Sequence, residues 1–270
     1  MLHESLKAAG GDNFFRSVVS SSWVMAFTLI LLSACVTSAP YSGKISPLKT
    51  PATLRIGDRS SIECKTEKIV SLPNAPTQTA FETLNIDIEP DPDGRKVFFK
   101  LHSDKYRSSL TVKLNKEGRV AKVHLGEGHG MQAVQFGSKF IKKSVDELPL
   151  FYEGTFSQGD PLYAEDKIAA GIASVVSSLS SGVEVSNIEG GYFLIGRAED
   201  MPSRPLVFRG GITGKARYNG QAITMKESGT YLFDDALGYM TSQSTTLTLS
   251  ANGGKSISTS TMTACGPKGN

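Results

Sequence analysis

Apolar and polar residues alternate over much of the chain, and this period of two is typical of β-strands that bury one face. The alternation is regular in segments such as 61–70 and 81–88. It resumes after a turn signal, Asp-Pro-Asp-Gly, at residues 91–94. The pattern therefore predicts several strands over residues 52–125.

The middle of the chain has a different period. Apolar residues recur at near-helical spacing in residues 131–148, before Pro149, and again in residues 164–180, before Gly182. We therefore expect one or two helices in a helical middle over residues 131–181. The apolar positions that carry this prediction are Val134, Ile141, Val145 and Leu148, followed by Ile168, Ile172, Val175, Val176 and Leu179.

Strand signals return in the C-terminal third. Asn219-Gly220 is typical of a two-residue hairpin turn, and further turn signals follow at residues 234–238 and 252–254. Evenly spaced turns of this kind predict an antiparallel strand meander over residues 185–265.

A continuous apolar run distinguishes the N-terminal region. It covers residues 18–32, follows the basic residue Arg16, and ends in two small residues directly before Cys35. The sequence Leu32-Ser33-Ala34-Cys35 resembles the lipobox of bacterial lipoproteins at each of its four positions. This resemblance implies a signal peptide over residues 1–34 that is cut between Ala34 and Cys35. It also implies that Cys35 is diacylated on sulfur and acylated again on its new N-terminus.

Residues 35–51 are expected to form the lipidated N-terminus and a flexible tether, because they are rich in Ser, Thr, Pro and Gly and have no apolar period. The membrane is then a partner of the chain through the lipid on Cys35. Val36 is not the aspartate that resembles the inner-membrane retention signal. In a host with two membranes we therefore expect an outer-membrane lipid anchor, with the domain facing the periplasm or exposed at the surface.

Two other interpretations of the leader stay open. An uncleaved membrane anchor needs roughly 20 apolar residues, whereas this run has about 15. Cleavage by an ordinary signal peptidase near Ala39 leaves a soluble product. The acidic residues Glu4 and Asp12 also leave the start codon open, although a start at Met25 would remove the basic region.

The order of strands, helical middle and meander indicates a mainly β fold of the α+β class. We expect residues 52–270 to form a single β-rich domain, built as a curved antiparallel sheet or open half-barrel with helices at its mouth. This order resembles the outer-membrane lipoprotein carrier and receptor fold, a half-barrel whose hydrophobic cavity is closed by helices. Leu148-Pro149 followed by Gly159-Asp160 also resembles an element between the halves of some bacterial lipoproteins of that kind.

The charge and the cysteine content limit which binding partners and which cellular compartment are expected. The formal net charge is +3, from 29 basic and 26 acidic residues, which is too even to indicate nucleic acid binding. Besides Cys35 the mature chain has only Cys64 and Cys265. In an exported chain these two most simply form a disulfide, and two buried free cysteines are the alternative. A catalytic thiol is disfavoured, because neither cysteine has a histidine nearby in sequence.

Candidate catalytic and metal-binding motifs are incomplete. His124, Glu127 and His129 form a local cluster of metal-ligand types, but zinc needs a further ligand, and His102 is the one histidine left in the mature chain to supply it. We therefore expect a glycine-rich loop there and no metal. Residues 87–94 imitate a calcium loop, but Lys100 stands where a bidentate glutamate belongs, which favours a solvated turn. No nucleophile elbow or phosphate-binding loop is complete, so the sequence predicts no catalytic set and no cofactor.

These observations lead to a non-enzymatic envelope lipoprotein that binds, or acts as a scaffold for, an apolar ligand or an envelope protein partner. The apolar face of residues 168–179 is the reason for expecting an apolar ligand. The alternative is an envelope hydrolase whose residues meet only in three dimensions. Such an enzyme would need a pocket that joins His124 or His129 to an acid and a serine.

Overall fold

The computed structural model describes residues 41–269, except 74–75, 104–106, 117–119, 127–152, 164–182, 219–220 and 252–255. Strands hold 74% of these described residues, and none of them lies in a helix. The strands are β1 Ile45–Ser46, β2 Ala52–Leu54, β3 Ser60–Ser71, β4 Gln78–Asp91, β5 Gly94–Ser103, β6 Arg107–Asn115, β7 Val120–Leu125, β8 Gly154–Phe156, β9 Val183–Ala198, β10 Leu206–Tyr218, β11 Gln221–Asp234, β12 Tyr239–Ala251 and β13 Ser256–Pro267.

Eleven of these strands form one antiparallel sheet, in the order β1-β9-β10-β11-β12-β13-β3-β4-β5-β6-β7. β2 and β8 pair with each other in a separate two-stranded sheet. β9 to β13 follow one another as an antiparallel meander, and β3 to β7 do the same. The pairing of β13 with β3 joins the two meanders, so strands from both ends of the chain share one sheet.

The predicted α+β fold with helices at the mouth of a half-barrel is wrong. The described part of the chain is nearly all β, with the large antiparallel sheet as its main element. The two segments on which the helix prediction depended, residues 131–148 and 164–180, lie outside the described residues. The prediction failed because it assigned the covering of the core to helices in those segments. Among the described residues, extended chain covers part of the core instead.

Most of the hydrophobic core lies on one face of the large sheet, which we call the inner face. A first cluster occupies β3 to β6 and includes Cys64, and a second occupies β9 to β11 and includes Phe208. Met240 packs against both clusters, so they share this face. Extended chain covers the second cluster: Phe156 of β8 meets Phe208 edge-on at 5.4 Å between ring centroids. Other covering residues in that cluster are Ala52, Leu54, Leu162 and Tyr163.

A line of glycines crosses β9, β10 and β11. Gly210 is paired with Gly229 of β11, and its neighbour Gly211 is paired with Gly191 of β9. A Cβ atom on Gly210 would lie 1.9 Å from the Gly191 carbonyl oxygen, and one on Gly229 would lie 2.3 Å from the Ser244 oxygen. Real side chains do not fit at such distances, so the close approach of these backbones requires glycine.

Residues 41–50, which belong to the segment 35–51 predicted to be a flexible tether, lie against the domain. β1 pairs with β9, and Tyr41 and Ile45 pack on a small apolar cluster that includes Ala198. The Arg209 guanidinium donates a hydrogen bond to the Tyr41 carbonyl at 2.7 Å. The tether prediction weighed only local composition, whereas these contacts come from residues more than 150 positions away.

Candidate functional site

Polar side chains cross the inner face in two adjacent rows of the sheet. In one row Gln243 of β12 is paired with Thr263 of β13, which is paired with Thr66 of β3, and Thr66 is paired with Glu82 of β4. In the next row Thr245 is paired with Thr261, and Thr261 with Lys68. Thr66 and Lys68 are two and four residues beyond Cys64, so they share its face. We call these seven residues the polar belt.

The belt is buried. Thr263 is 0% exposed and Gln243 is 1% exposed, and Thr66, Glu82, Thr245 and Thr261 are also buried. The Lys68 ammonium lies 2.7 Å from the Glu82 carboxylate, with side-chain exposures of 12% and 8%. The Gln243 amide donates to the Thr245 hydroxyl at 3.3 Å. The belt is therefore a polar zone in the interior of an otherwise apolar face.

The composition of the belt is unusual for a region that only packs. Threonine is common in strands, so the threonines alone need no functional explanation. A buried ion pair is different, because its desolvation cost is about as large as its attraction and apolar residues of similar volume often stabilise a fold better. The Thr263 hydroxyl is also enclosed and has no hydrogen-bond partner among the described residues. A buried polar group in that state calls for an explanation.

The inner face differs on the two sides of the belt. Toward Cys64 it is closed by the first apolar cluster, and Phe208 of the second cluster lies in the same row as Gln243. Toward the other end of the strands Ile212, Ile223 and Ile257 are buried, and Glu227 and Thr259 interrupt the apolar surface. Five further apolar residues there are only half-buried. We call this set the apolar rim: Ile188 of β9, Met225 of β11, Leu247 and Leu249 of β12, and Val70 of β3. The belt therefore lies between the first apolar cluster and a mixed zone of buried and partly exposed residues.

A buried carboxyl group lies beside the belt on β11. The Tyr192 hydroxyl donates to Oε1 of Glu227 at 2.6 Å. The Tyr192 ring meets Tyr231 edge-on, with 4.6 Å between ring centroids. Burial raises the pKa of the Glu227 carboxyl, and the hydrogen bond from Tyr192 offsets part of that rise. Tyr231 is paired with Gln243 of the belt, so this acid and the belt share one surface.

The structure joins Cys64 and Cys265 by a disulfide, the pairing that the sequence predicts. The two cysteines face each other on β3 and β13, and each is two residues from a threonine of the belt, Thr66 or Thr263. The disulfide therefore lies on the inner face next to the belt. The other predicted lipoprotein residues, Ala34 and Cys35, lie outside the described residues.

The local cluster of metal-ligand residue types, for which the sequence predicts no metal, is only partly within the described chain. His124 is an exposed residue of the edge strand β7, paired with Thr111, while Glu127 and His129 lie outside the described residues. Where the structure describes the chain, no group of three histidine, cysteine, aspartate or glutamate side chains could hold a metal ion. In the same part of the chain there is no helix of a length and apolarity suited to crossing a membrane.

The face opposite the inner face, which we call the outer face, carries a serine, an acid and a histidine of the types that a hydrolase would need. The Ser61 hydroxyl donates to the Asp87 carboxylate, at the edge of a depression of about 870 Å³ that Phe98 and Lys100 also line. The row that contains Ser61 and Asp87 continues through Phe98 to Thr111 and His124. His124 is thus three strands from Asp87, roughly 14 Å at the usual strand spacing. These three groups cannot act as a triad, which needs hydrogen-bond contact.

Sequence reasoning missed both the belt and the Glu227–Tyr192 pair. A signal for part of the belt is present, because Thr66 and Lys68 continue the alternation of Ile62 and Cys64 with polar residues. Polar residues at positions that should be apolar are a mark of function or of a special packing need. The pairing partners come from distant strands, so the sequence alone does not show that these positions form one zone.

Comparisons with known proteins leave the chain without an assigned family. No protein-family model matches it, and no curated protein is similar to it in sequence. Among solved structures it is similar to DynF from the dynemicin biosynthesis pathway of Micromonospora chersina, with 8% identity and a TM-score of 0.26. That similarity covers 88% of this chain and 92% of DynF. A TM-score of 0.26 is too low to indicate a shared fold or function.

Proposed function

We propose that this chain is a bacterial lipoprotein, anchored in the outer membrane through acyl chains on Cys35, whose β-domain binds an apolar ligand or an envelope partner without catalysing a reaction. The observation that carries the anchoring is the lipobox Leu32-Ser33-Ala34-Cys35, which directly follows an apolar run. Two or three acyl chains make such attachment stable, whereas one chain gives only marginal binding.

The inner face of the sheet supports the binding part of the proposal. Residues of the apolar rim such as Val70 and Leu247 are half-buried, although they share a face with the fully buried residues of the two clusters. Partly open apolar surface beside a few convergent polar groups is the usual character of a ligand site. Glu227, which is paired with Leu247, and Lys68, two residues before Val70, are polar groups next to this surface.

The anchoring is tested with two substitutions in cells. Cys35→Ser should abolish labelling by radioactive palmitate and leave an unprocessed precursor, whereas Val36→Asp should move the mature protein from the outer to the inner membrane. Ser42→Ala is the matched control, because it changes an exposed side chain beyond the leader and keeps the lipobox. A Cys35→Ser protein that is still cleaved and membrane-bound would show that the leader is of another kind.

Ligand binding is tested on the purified mature protein. Native mass spectrometry after gentle extraction should detect a co-purified lipid, and the fluorescent apolar probe N-phenyl-1-naphthylamine should bind. Val70→Gln should weaken probe binding, because it places an amide on the apolar rim. Ile69→Gln is the matched control, since Ile69 is adjacent on β3 but lies on the opposite face. If neither lipid nor probe is bound, the ligand is excluded and the binding partner must be a protein.

A further inference from the structure

We propose that the outer face of the sheet carries a second binding site, whose ligand is a carboxylated saccharide. The site is the depression beside Ser61 and Asp87, which we call the outer depression. The polar belt and the apolar rim lie on the opposite face of the sheet, so this site does not depend on the apolar ligand proposed above.

The outer depression lies across β3, β4 and β5. Ser61 of β3 is paired with Asp87 of β4, which is paired with Phe98 of β5, and Lys100 follows Phe98 on the same face. All four residues line the depression. Its volume of about 870 Å³ is within the range of roughly 300–1,000 Å³ that is usual for small-molecule sites. A ligand of the size of a disaccharide therefore has room there.

The ring of Phe98 gives the outer depression an apolar surface. Phe98 is half-buried, and its neighbours in the same row, Asp87 and Thr111, are polar. The face of an aromatic ring is electron-rich, so it attracts hydrogen atoms that carry a partial positive charge. The C–H groups of a sugar ring are of this kind, because their carbon atoms are bonded to oxygen. Phe98 therefore suits a sugar ring better than a small inorganic anion.

The acidic residues of the outer depression favour a ligand that carries hydroxyl groups. The Asp87 carboxylate accepts a hydrogen bond from the Ser61 hydroxyl and lies 3.6 Å from the Lys268 ammonium group. The Asp87 side chain is still 26% exposed, and Glu89 is exposed in the same depression. Carboxylates only accept hydrogen bonds, and the hydroxyl groups of a sugar can donate them. A simple anion would meet both carboxylates and offer them no donor.

The basic residues favour a carboxylate on the same ligand. Arg59 and Lys100 line the depression and are exposed, and neither forms an ion pair within the described part of the chain. Together with Lys268 they place three cationic side chains beside the two carboxylates of Asp87 and Glu89. A ligand carboxylate bound by Arg59 or Lys100 gains charge-assisted hydrogen bonds, which are roughly twice as strong as neutral ones. An uncharged sugar would leave this attraction unused.

The experiment compares three ligands by isothermal titration calorimetry on the purified mature protein in a nonionic detergent. They are digalacturonic acid, its dimethyl ester, which keeps the sugar rings without the charge, and triglutamate, a peptide with more carboxylates and no sugar ring. We expect digalacturonic acid to bind at least roughly fivefold more tightly than either of the others. Raising the salt concentration to about 0.5 M should weaken its binding, because the cationic side chains are exposed.

Lys100→Gln tests the role of the cationic side chains. It should weaken the binding of digalacturonic acid by roughly three- to tenfold, because a charge-assisted hydrogen bond is replaced by a neutral one. Lys122→Gln is the matched control, since Lys122 is an exposed lysine of β7 on the same face and does not line the depression.

Phe98→Leu tests the role of the ring, because leucine keeps the apolar bulk but has no aromatic face. It should weaken the binding of digalacturonic acid by roughly two- to fivefold. Phe81→Leu is the matched control, since Phe81 is 57% exposed on the outer face of β4 and lies outside the depression. The thermal unfolding of each variant, measured without ligand, shows whether it folds.

These results decide on the outer depression alone. If triglutamate binds as tightly as digalacturonic acid, the depression is a general anion or acidic-peptide surface and the inference is wrong. If the dimethyl ester binds as tightly, the cationic side chains play no part and the inference is also wrong. No binding at all, or binding that folded Lys100→Gln and Phe98→Leu variants leave unchanged, would likewise overturn it. Binding of N-phenyl-1-naphthylamine to the inner face is measured separately, so the proposed function stands or falls independently.

Discussion

Cys64 and Cys265 lie directly opposite each other on neighbouring strands, with 4.1 Å between their Cα atoms, although 201 positions separate them in sequence. β3 and β13, which carry them, are the strands through which the two meanders join. The disulfide therefore links the beginning and the end of the domain at a pairing that no short turn can enforce.

Removing this disulfide should destabilise the domain. In the double variant Cys64→Ala, Cys265→Ala we expect the free energy of unfolding to fall by about 2–5 kcal/mol, since the unfolded chain is no longer constrained by a long loop. Guanidinium denaturation with and without reductant measures the change, and the reductant should have no effect on the variant. Peptide mapping of the protein from intact envelopes should find the two cysteines linked, and free thiols there would contradict the prediction.

Gly210→Ala should destabilise the sheet, because the new Cβ atom would lie 1.9 Å from the Gly191 carbonyl oxygen and neither backbone can move without disturbing its pairing. Overpacking of this kind costs roughly 1–3 kcal/mol. Gly266→Ala is the control, since a Cβ atom there meets nothing within 4 Å. Urea unfolding of the two variants should separate them clearly, and equal stabilities would mean that the glycine line is not closely packed.

Glu227 should make the stability of the domain fall as pH rises. Its folded-state pKa is raised by burial, so ionising it costs more in the folded than in the unfolded protein. The loss of stability should begin near the ordinary pKa of a glutamate carboxyl group and be complete above the raised pKa of Glu227. Glu227→Gln should remove this decline and Tyr192→Phe should enlarge it, because the hydrogen bond from Tyr192 lowers the pKa of Glu227.

Urea unfolding of the wild type and these variants between about pH 4 and pH 8 measures the decline, a range chosen to span the ordinary glutamate pKa and values above it. Glu189→Gln, an exposed position on β9, is the control and should leave the decline unchanged. A wild-type stability that does not fall with pH relative to Glu227→Gln would contradict the prediction.

The Arg197–Asp235 pair should have the opposite pH dependence. The Arg197 guanidinium holds the pKa of Asp235 below its usual value, and one of its hydrogen bonds to that carboxylate is 3.0 Å long. The ion pair contributes to stability above the pKa that Asp235 has in the unfolded chain. This contribution is lost as pH falls through the lower pKa that Asp235 has in the folded protein.

Asp235→Asn should therefore cost about 1 kcal/mol at neutral pH, a modest value because both side chains are about one-quarter exposed, and nothing in strong acid. Asp58→Asn, at a contact with Arg95 whose aspartate is 70% exposed, is the control and should have no measurable effect. A cost at position 235 that persists unchanged in acid would exclude the ion pair as its cause.

The strands were largely predictable and their arrangement was not. The alternation through Ile62 and Cys64 marks β3 and its buried face, and the Asp-Pro-Asp-Gly signal marks the turn between β4 and β5. These are local properties of the chain. The pairing of β3 with β13 brings together residues some 200 positions apart, a separation on the order of the length of the whole domain. Non-local pairing of this kind leaves no local pattern in the sequence.

The candidate site was hidden for the same reason. Lys68 and Glu82 are ordinary charged residues in the sequence, and only the register of β3 against β4 places them together on a buried face. Thr261 and Thr263 read as part of a Ser/Thr-rich strand. The fold class was mistaken because near-helical spacing of apolar residues was taken as evidence for helices that complete the core, whereas β2, β8 and their neighbours cover the second cluster.

The docking of residues 41–50 on the domain determines how the proposed anchor would orient it. Only five residues separate Cys35 from Tyr41, so an extended chain reaches at most about 20 Å from the lipid. Tyr41 packs near Ala198, at the C-terminal end of β9, while Ile188 of the apolar rim lies ten residues earlier on that strand. At the usual strand rise this is roughly 33 Å. The apolar rim would then lie far from the lipid anchor, toward the opposite end of β9 from the docked N-terminal segment.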